Sequence, residues 1–216
     1  MTRWLIGIDE AGRGSLAGPV AVGAVAVPLD FDWAQVAGAR DSKQMTPKSR
    51  EALYGKLLSL REKGVLSFAV ALSSSSMIDT YGIVPSIKSA LDRALTKVTE
   101  KVIVTRSKDS PPVVFQGLPL DKVEVRLDGG LRAPERFSNQ ITIVRGDVSE
   151  PVISLASIAA KVERDRLMCR LATKHPGYGL EVHKGYGTLA HRRAIQERGL
   201  AEIHRRTFCR ALILRK

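Results

Sequence analysis

Cysteine is scarce in this chain: Cys169 and Cys209 are the only two among 216 residues. Two thiols cannot build a disulfide scaffold, and they lack the paired spacing of a zinc site. They read as ordinary reduced thiols, which suits a cytoplasmic protein. Long apolar runs are missing too. The longest, residues 16–29, is broken by Gly18, Pro19, Gly23 and Pro28, and it is too short to span a bilayer. The opening MTRWLIGIDE has only a few apolar residues before two acids, which does not read as a signal peptide. No internal repeat, low-complexity tract or clear linker stands out. Acid is in short supply relative to base: 22 Asp+Glu stand against 34 Lys+Arg, giving a net charge of +12 and a pI near 10.0. Such an excess points to a polyanionic partner, nucleic acid above all.

What is present suits a folded domain. Hydrophobic residues make up 44% of the chain and charged ones 26%, enough for a core and too little charge for disorder. Residues 3–8 (RWLIGI) and 19–27 (PVAVGAVAV) read as strands, the second by its period of two. Thr46 is a natural N-cap and Pro47 fits a first helical turn. Leu53, Leu57, Leu58 and Leu60 give that helix an apolar stripe, and Gly64 ends it. Residues 65–72 form a third strand. Ser73 to Ser76 reads as a polar loop. A helix follows Pro85, with Ile87, Leu91, Ala94, Leu95 and Val98 at helical spacing as core. Residues 101–105 read as a strand, and 106–120 as a loop or short extra hairpin. Strands are expected at 123–127 and 140–145, a long helix at 155–173 and a basic helix at 188–198. The order predicts an α/β domain over residues 1–174 with a C-terminal helical segment over 175–216, the two forming one unit. No sustained exposed apolar helix face stands out, so a monomer is expected.

Three predicted strands end in acids: Asp9-Glu10, Asp128 and Asp147. In open α/β sheets, sites form beyond strand ends. If these strands are neighbours, four carboxylates converge and repel one another. A divalent cation with a taste for oxygen ligands removes that penalty. Two such ions about 4 Å apart clamp the attacking and leaving oxygens of an in-line phosphoryl displacement. Taken singly, each acid is equally a turn residue, and spacing alone does not separate the two readings. The turn Gly12-Arg13-Gly14 lets backbone approach a ligand and offers amides and a guanidinium to it. It is not a nucleotide P-loop, which ends in Gly-Lys-Ser/Thr.

GIDEAGRGSLAGPV, then DSKQM, DGG, RGDVSEPVISLASIAAKVERDRLM, HPGYGLEVHKGYGTLAH and IHRRTF together resemble bacterial ribonuclease HII. The blocks keep the family's order over nearly the whole chain. The resemblance implies a ribonuclease H-like mixed β-sheet flanked by helices, with a C-terminal helical segment. It implies an endonuclease, dependent on Mg²⁺ or Mn²⁺, that cuts the RNA strand of RNA–DNA hybrids. It also implies a cut on the 5′ side of single ribonucleotides in duplex DNA, leaving 3′-hydroxyl and 5′-phosphate ends.

By the same resemblance, Asp9, Glu10, Asp128 and Asp147 are the catalytic, metal-holding acids. Gly12, Arg13 and Gly14 read the ribose 2′-hydroxyl, the group that separates RNA from DNA. Tyr186 packs on the sugar beside the RNA–DNA junction, and Tyr178 is a core or hinge aromatic. Lys43, His183, Lys184, Arg205 and Arg206 look placed for phosphates, while Lys161 and Arg164 are structural partners of the acids. The stretch between Leu95 and Asp128 is longer than the family's usual connection. Two other readings stand beside this one: a non-catalytic protein that binds hybrids or DNA, and a nuclease of related fold acting on DNA junctions.

Overall fold

The computed structural model describes residues 3–38, 45–104 and 113–213. Five strands form one mixed sheet: β1 (Trp4–Ala11), β2 (Val20–Pro28), β3 (Ser67–Ser73), β6 (Val123–Asp128) and β7 (Gln140–Ile143), in the order β3-β2-β1-β6-β7. The β1–β2 and β2–β3 pairs are antiparallel, whereas β6 runs parallel to both β1 and β7. A separate antiparallel pair joins β4 (Lys101–Val104) to β5 (Val113–Gln116). The long connection before Asp128 is thus partly the extra hairpin its composition allows.

Alternation along the strands sorts two cores onto opposite faces of the sheet. Ile6, Ile8, Val22, Ala24, Val125 and Leu127 pack against Leu91, Ala94, Leu95 and Val98 of α3 (Ile83–Glu100). Leu5, Val25 and Val27 pack on the other face with α1 (Pro47–Glu62) and α5 (Pro151–Lys174). The Thr46 hydroxyl caps α1 by accepting from the Ser49 N–H at 3.1 Å. The long helix α5 lies unusually close to the sheet. A Cβ on Gly7 would sit 2.2 Å from the Val152 carbonyl oxygen, and one on Gly23 would sit 2.3 Å from that of Ala156. Only glycine on β1 and β2 permits this approach.

The serine run departs from expectation. Residues 73–76 are not simply a loop: Ser74 accepts from the Met77 N–H at 3.2 Å and caps α2 (Ser75–Tyr81). Three further helices lie outside those expected: α4 (Gly146–Ser149), α6 (Leu180–His183) and α8 (Arg206–Ile213). The first two are single turns, too short for a hydrophobic stripe. The basic helix α7 (Leu189–Arg198) falls where expected, capped by Thr188.

The C-terminal segment is stitched to the turn after β1. The Leu16 N–H donates to the Gly185 carbonyl, the Gly18 N–H to Ile203 and the Arg205 N–H to Leu16, each at 2.8 Å. Ala17, Met168, Leu180 and Ile203 form a small core beneath these bonds. Among the described residues, no helix is long and apolar enough to cross a membrane.

Candidate active site

The site begins with strand parity. In the β1–β6 register Ile8 pairs with Leu127, so the next residues along two parallel strands are Asp9 and Asp128. Both alternate away from the α3 core and toward α5. Glu10 follows Asp9, and its N–H donates to Asp9 Oδ1 at 2.7 Å. These three acids line one cavity of about 460 Å³, with Gly12, Arg13 and Gly14 at its rim. Arg50 of α1, Ser157 and Lys161 of α5, and Tyr186 complete its walls.

Asp9 is buried, and burial pushes its carboxyl up to about 7. The hydrogen bond with Ser157 opposes the rise, and the charges of Glu10 and Asp128 add to it. The site therefore holds acids that resist being charged together. Glu10 is paired with Arg13 at 3.2 Å. Among the described residues no three His, Cys, Asp or Glu side chains are gathered into a ready-made ion cage; the three carboxylates face an open cavity instead. Asp147 is set differently. Its N–H donates to Asp128 Oδ1 at 3.4 Å from the single turn α4. Its side chain is buried, and it lies outside the residues that line the cavity.

The turn after β1 is built around two buried arginines. Arg205 donates through Nε to the Gly18 carbonyl, through Nη1 to Arg13 and through Nη2 to Gly12, at 3.0, 2.8 and 2.7 Å. Arg164 donates to the carbonyls of Pro19 at 2.9 Å and Ala17 at 3.2 Å. Gly12 has a positive φ of 85°, and a Cβ there would meet the Arg164 guanidinium. These contacts correct two expectations. Arg205 is buried and lines neither cavity of this face; it holds the turn's carbonyls and not a phosphate. Arg164 partners carbonyls and not the cavity's acids, and Lys161 pairs with Asp165 at 2.9 Å. Burial lowers the affinity of both arginines for their protons, Arg205 to about 10 with the Arg164 charge adding to the effect.

The Tyr186 ring packs over α5, its centre 5.3 Å from both the Arg164 guanidinium carbon and Lys161 Nζ. A chain of neutral imidazoles holds the Tyr186 backbone. His204 Nδ1 faces both the N–H and the carbonyl of Ala201, at 2.9 and 3.2 Å. Because the Tyr186 carbonyl can only accept from His191 Nδ1, His191 Nε2 is left as an acceptor, and a bond between the two rings requires the His204 proton on Nε2. That proton points at His191 Nε2 across 3.2 Å, and His191 Nδ1–H donates to the Tyr186 carbonyl at 3.0 Å. Burial pushes His191 down to about 4 and lowers His204 as well, which matches neutral rings. His183 stacks on His191 with ring centres 4.3 Å apart. Its Nε2 lies 2.7 Å from the Tyr178 carbonyl, and its Nδ1 accepts from the Gly185 N–H at 3.2 Å. Both ring nitrogens are thereby engaged within the protein, which corrects the expectation of a phosphate contact from His183. The Tyr178 hydroxyl donates to the Gly199 carbonyl at 3.0 Å, and the ring packs against the small core of Ala17, Met168, Leu180 and Ile203.

Lys184 donates to the Glu181 carbonyl and does not line the acidic cavity. Arg206 is exposed at the start of α8 and lines neither cavity. Lys43 lies outside the described residues. Sequence reasoning missed Ser157, Arg50, His191 and His204. The spacing of Ser157 to Lys161, four residues apart on one helix face, was the available signal.

The profile of the family described as Ribonuclease HII matches residues 6–211. A protein named Ribonuclease HII from Dehalococcoides mccartyi is 41% identical over 206 residues, covering 94% of this chain and 85% of that protein. Its namesake from Burkholderia vietnamiensis is 40% identical over 203 residues, covering 94% and 81%. Among solved structures, the PCNA:RNase HII complex from Archaeoglobus fulgidus contains a chain that superposes with a TM-score of 0.71 at 23% identity, covering 98% of this chain and 97% of that one. Bst-RNase HIII in complex with Mn²⁺ superposes with a TM-score of 0.61 at 18% identity, covering 91% and 63%. Those superpositions speak for the ribonuclease H-like fold, and the family match with the two named relatives carries the conclusion: this chain belongs to the ribonuclease HII family.

Proposed function

We propose that this chain cuts the RNA strand of RNA–DNA hybrids, and the bond on the 5′ side of single ribonucleotides in duplex DNA, leaving 3′-hydroxyl and 5′-phosphate ends. The observation that carries this reading is the placement of Asp9 beside Asp128 on neighbouring parallel strands, with Glu10, in a cavity rimmed by the glycine turn and Tyr186. Residues 1–174 supply the acids, and residues 175–216 supply Tyr186 and the supports of the turn.

Asp9, Glu10 and Asp128 would hold divalent cations, Mg²⁺ or Mn²⁺. Their donor set fits: all are hard oxygens, and the raised Asp9 affinity for a proton marks a place where positive charge is wanted. When bound, such ions neutralise the scissile phosphate and lower the pKa of an attacking water. Asp147 braces Asp128 through its backbone and is assigned the fourth acidic position. The carbonyls of Gly12 and Arg13 are turned inward to Arg205, so the turn is held rigid while its amides are left to read the 2′-hydroxyl. Tyr186 packs on the neighbouring deoxyribose. Lys43 and Lys184 contact phosphates, and Arg206 adds charge at the periphery. Because the 2′-hydroxyl is read and not used as nucleophile, no cyclic phosphate forms.

The test is cleavage of a DNA duplex bearing one ribonucleotide, with an all-DNA duplex alongside. The expected result is a Mg²⁺- or Mn²⁺-dependent nick 5′ to the ribonucleotide, no cut in DNA alone, and loss of on the order of 100-fold or more in Asp9→Asn and Asp128→Asn. Equal cutting of both duplexes, or full activity in Asp9→Asn, overturns the reading.

A further inference from the structure

Beyond the acidic cavity, on the far side of Tyr186, lies a second cavity of about 650 Å³. It shares Arg50, Lys161 and Tyr186 with the first. Its floor is one face of α5, carrying Lys161, Asp165, Arg166, Cys169 and Arg170 at the spacing of successive helical turns. Arg50 and Glu51 of α1 form one wall, and the segment from Val182 to Lys184 forms the other. Five of these side chains are basic and two are acidic. Both acids are already answered within the groove: Glu51 pairs with Arg166 at 2.5 Å and Asp165 with Lys161 at 2.9 Å. Among the described residues Arg170 has no ion-pair partner. The groove is therefore positive on balance, and it adjoins the acidic cavity through three shared wall residues.

We propose that this groove is the exit track for one strand of the substrate, so that the strand seated at Asp9 and Asp128 passes Tyr186 and continues over α5 as far as Arg170. The proposal rests on the reading of the reaction given above and adds a path and a length to it. From Lys161 to Arg170 the helix rises about 14 Å, room for about four nucleotides at 3.4 Å per strand charge. A phosphodiester chain held at the acids has to leave the cavity somewhere. Lys161 and Tyr186 belong to both chambers, which makes their shared boundary the continuous route. An acidic peptide would meet the same cations but has no cause to run on into a cavity lined by carboxylates.

Cys169 lies in the groove and is exposed, whereas Cys209 is buried, so thiol alkylation reports on the track without any added label. The experiment uses Asp9→Asn protein, which keeps the strand whole, and a 20-base-pair DNA duplex with one central ribonucleotide at saturating concentration. Cys169 alkylation is expected to slow about tenfold as the groove is covered. Trimming the duplex from one end only should restore it. In parallel, Arg170→Ala should reduce the slope of log affinity against log salt by about 0.9. Lys97→Ala, on α3 across the sheet, should leave the slope unchanged. Unaltered Cys169 reactivity under saturating duplex, or equal protection by polyglutamate, overturns the track. The outcomes separate from the reaction itself: cleavage by the intact protein without protection of Cys169 sinks only the track. Protection without ribonucleotide-dependent cleavage supports the track and sinks the proposed reaction.

Discussion

At Asp9, burial and two neighbouring carboxylates act in the same direction, and the consequence for stability has a definite sign. The folded state binds the Asp9 proton more tightly than the unfolded chain does, with a value of about 7 against 3.8. Its stabilising contribution is complete below the unfolded value. It is lost as pH rises toward 7 and stays lost above it. Metal-free protein should accordingly lose about 2–4 kcal/mol from this group between pH 4 and 8. Asp9→Asn should flatten that decline, raising the neutral-pH melting temperature while abolishing cleavage. Mg²⁺ should raise the melting temperature of the intact protein more than that of the variant, since ions that bind only the native state stabilise it. Thermal melts across pH with and without Mg²⁺ check all of this; a variant whose pH profile matches the parent contradicts it. Asp9 and Glu10 were legible as a pair because they follow an apolar strand and precede a glycine turn. His191 and His204 were not, because a lone histidine, whether in the basic helix α7 or in the segment after it, carries no sign of which neighbour its ring nitrogens will find.

The secondary-structure elements show where periodicity suffices and where it fails. β1, β2, α1, α3 and α5 are long enough for period two or 3.6 to declare itself, and each lies where its pattern put it. α6 and α4 are single turns held by their surroundings. α8 owes its start to a distant side chain: Asp79 of α2 accepts from the backbone N–H groups of Arg206 and Thr207 at 2.8 and 3.0 Å. The Thr207 hydroxyl adds a third bond at 2.6 Å. Partial burial works to raise the Asp79 pKa, but these hydrogen bonds, with the Arg206 charge, prevail and hold it below 3.8. Its contribution is present above that value and fades as pH falls through the lowered one. Asp79→Ala should cost about 1–2 kcal/mol at pH 7, the loss of a helix cap. The deficit relative to the parent should shrink in strong acid. Urea unfolding at pH 7 and pH 3 measures the difference; an equal deficit at both would assign the loss to packing instead.

Across the whole molecule, the decisive join is between the turn after β1 and the C-terminal segment, which meet although some 190 residues separate Arg205 from its acceptors. A guanidinium buried among carbonyls cannot be replaced by a shorter ammonium without stranding acceptors. Arg205→Lys should therefore destabilise the fold by about 2–4 kcal/mol and raise KM for ribonucleotide-bearing duplex more than it lowers kcat. A variant with parental stability and KM would remove Arg205 from this supporting role. The net charge of +12 belongs to the same scale. It draws any polyanion toward the molecule, but it does not say which of the 34 basic residues face that partner.

The sequence by itself determined most of the strands and the long helices, the position of Asp9, Glu10 and Asp128 at strand ends and the charge that favours nucleic acid. These follow from local periodicity and composition, which act over a few residues. Asp147, expected at a third strand end, lies instead in the single turn α4 after β7. Tertiary structure alone decided that β6 lies beside β1. Strand neighbours are chosen by packing and hydrogen bonding between segments far apart in the chain, and that choice places Asp128 next to Asp9. It also decided that Arg205, expected at a phosphate, is enclosed: a charge is buried only where folding delivers enough oppositely polarised groups to replace water.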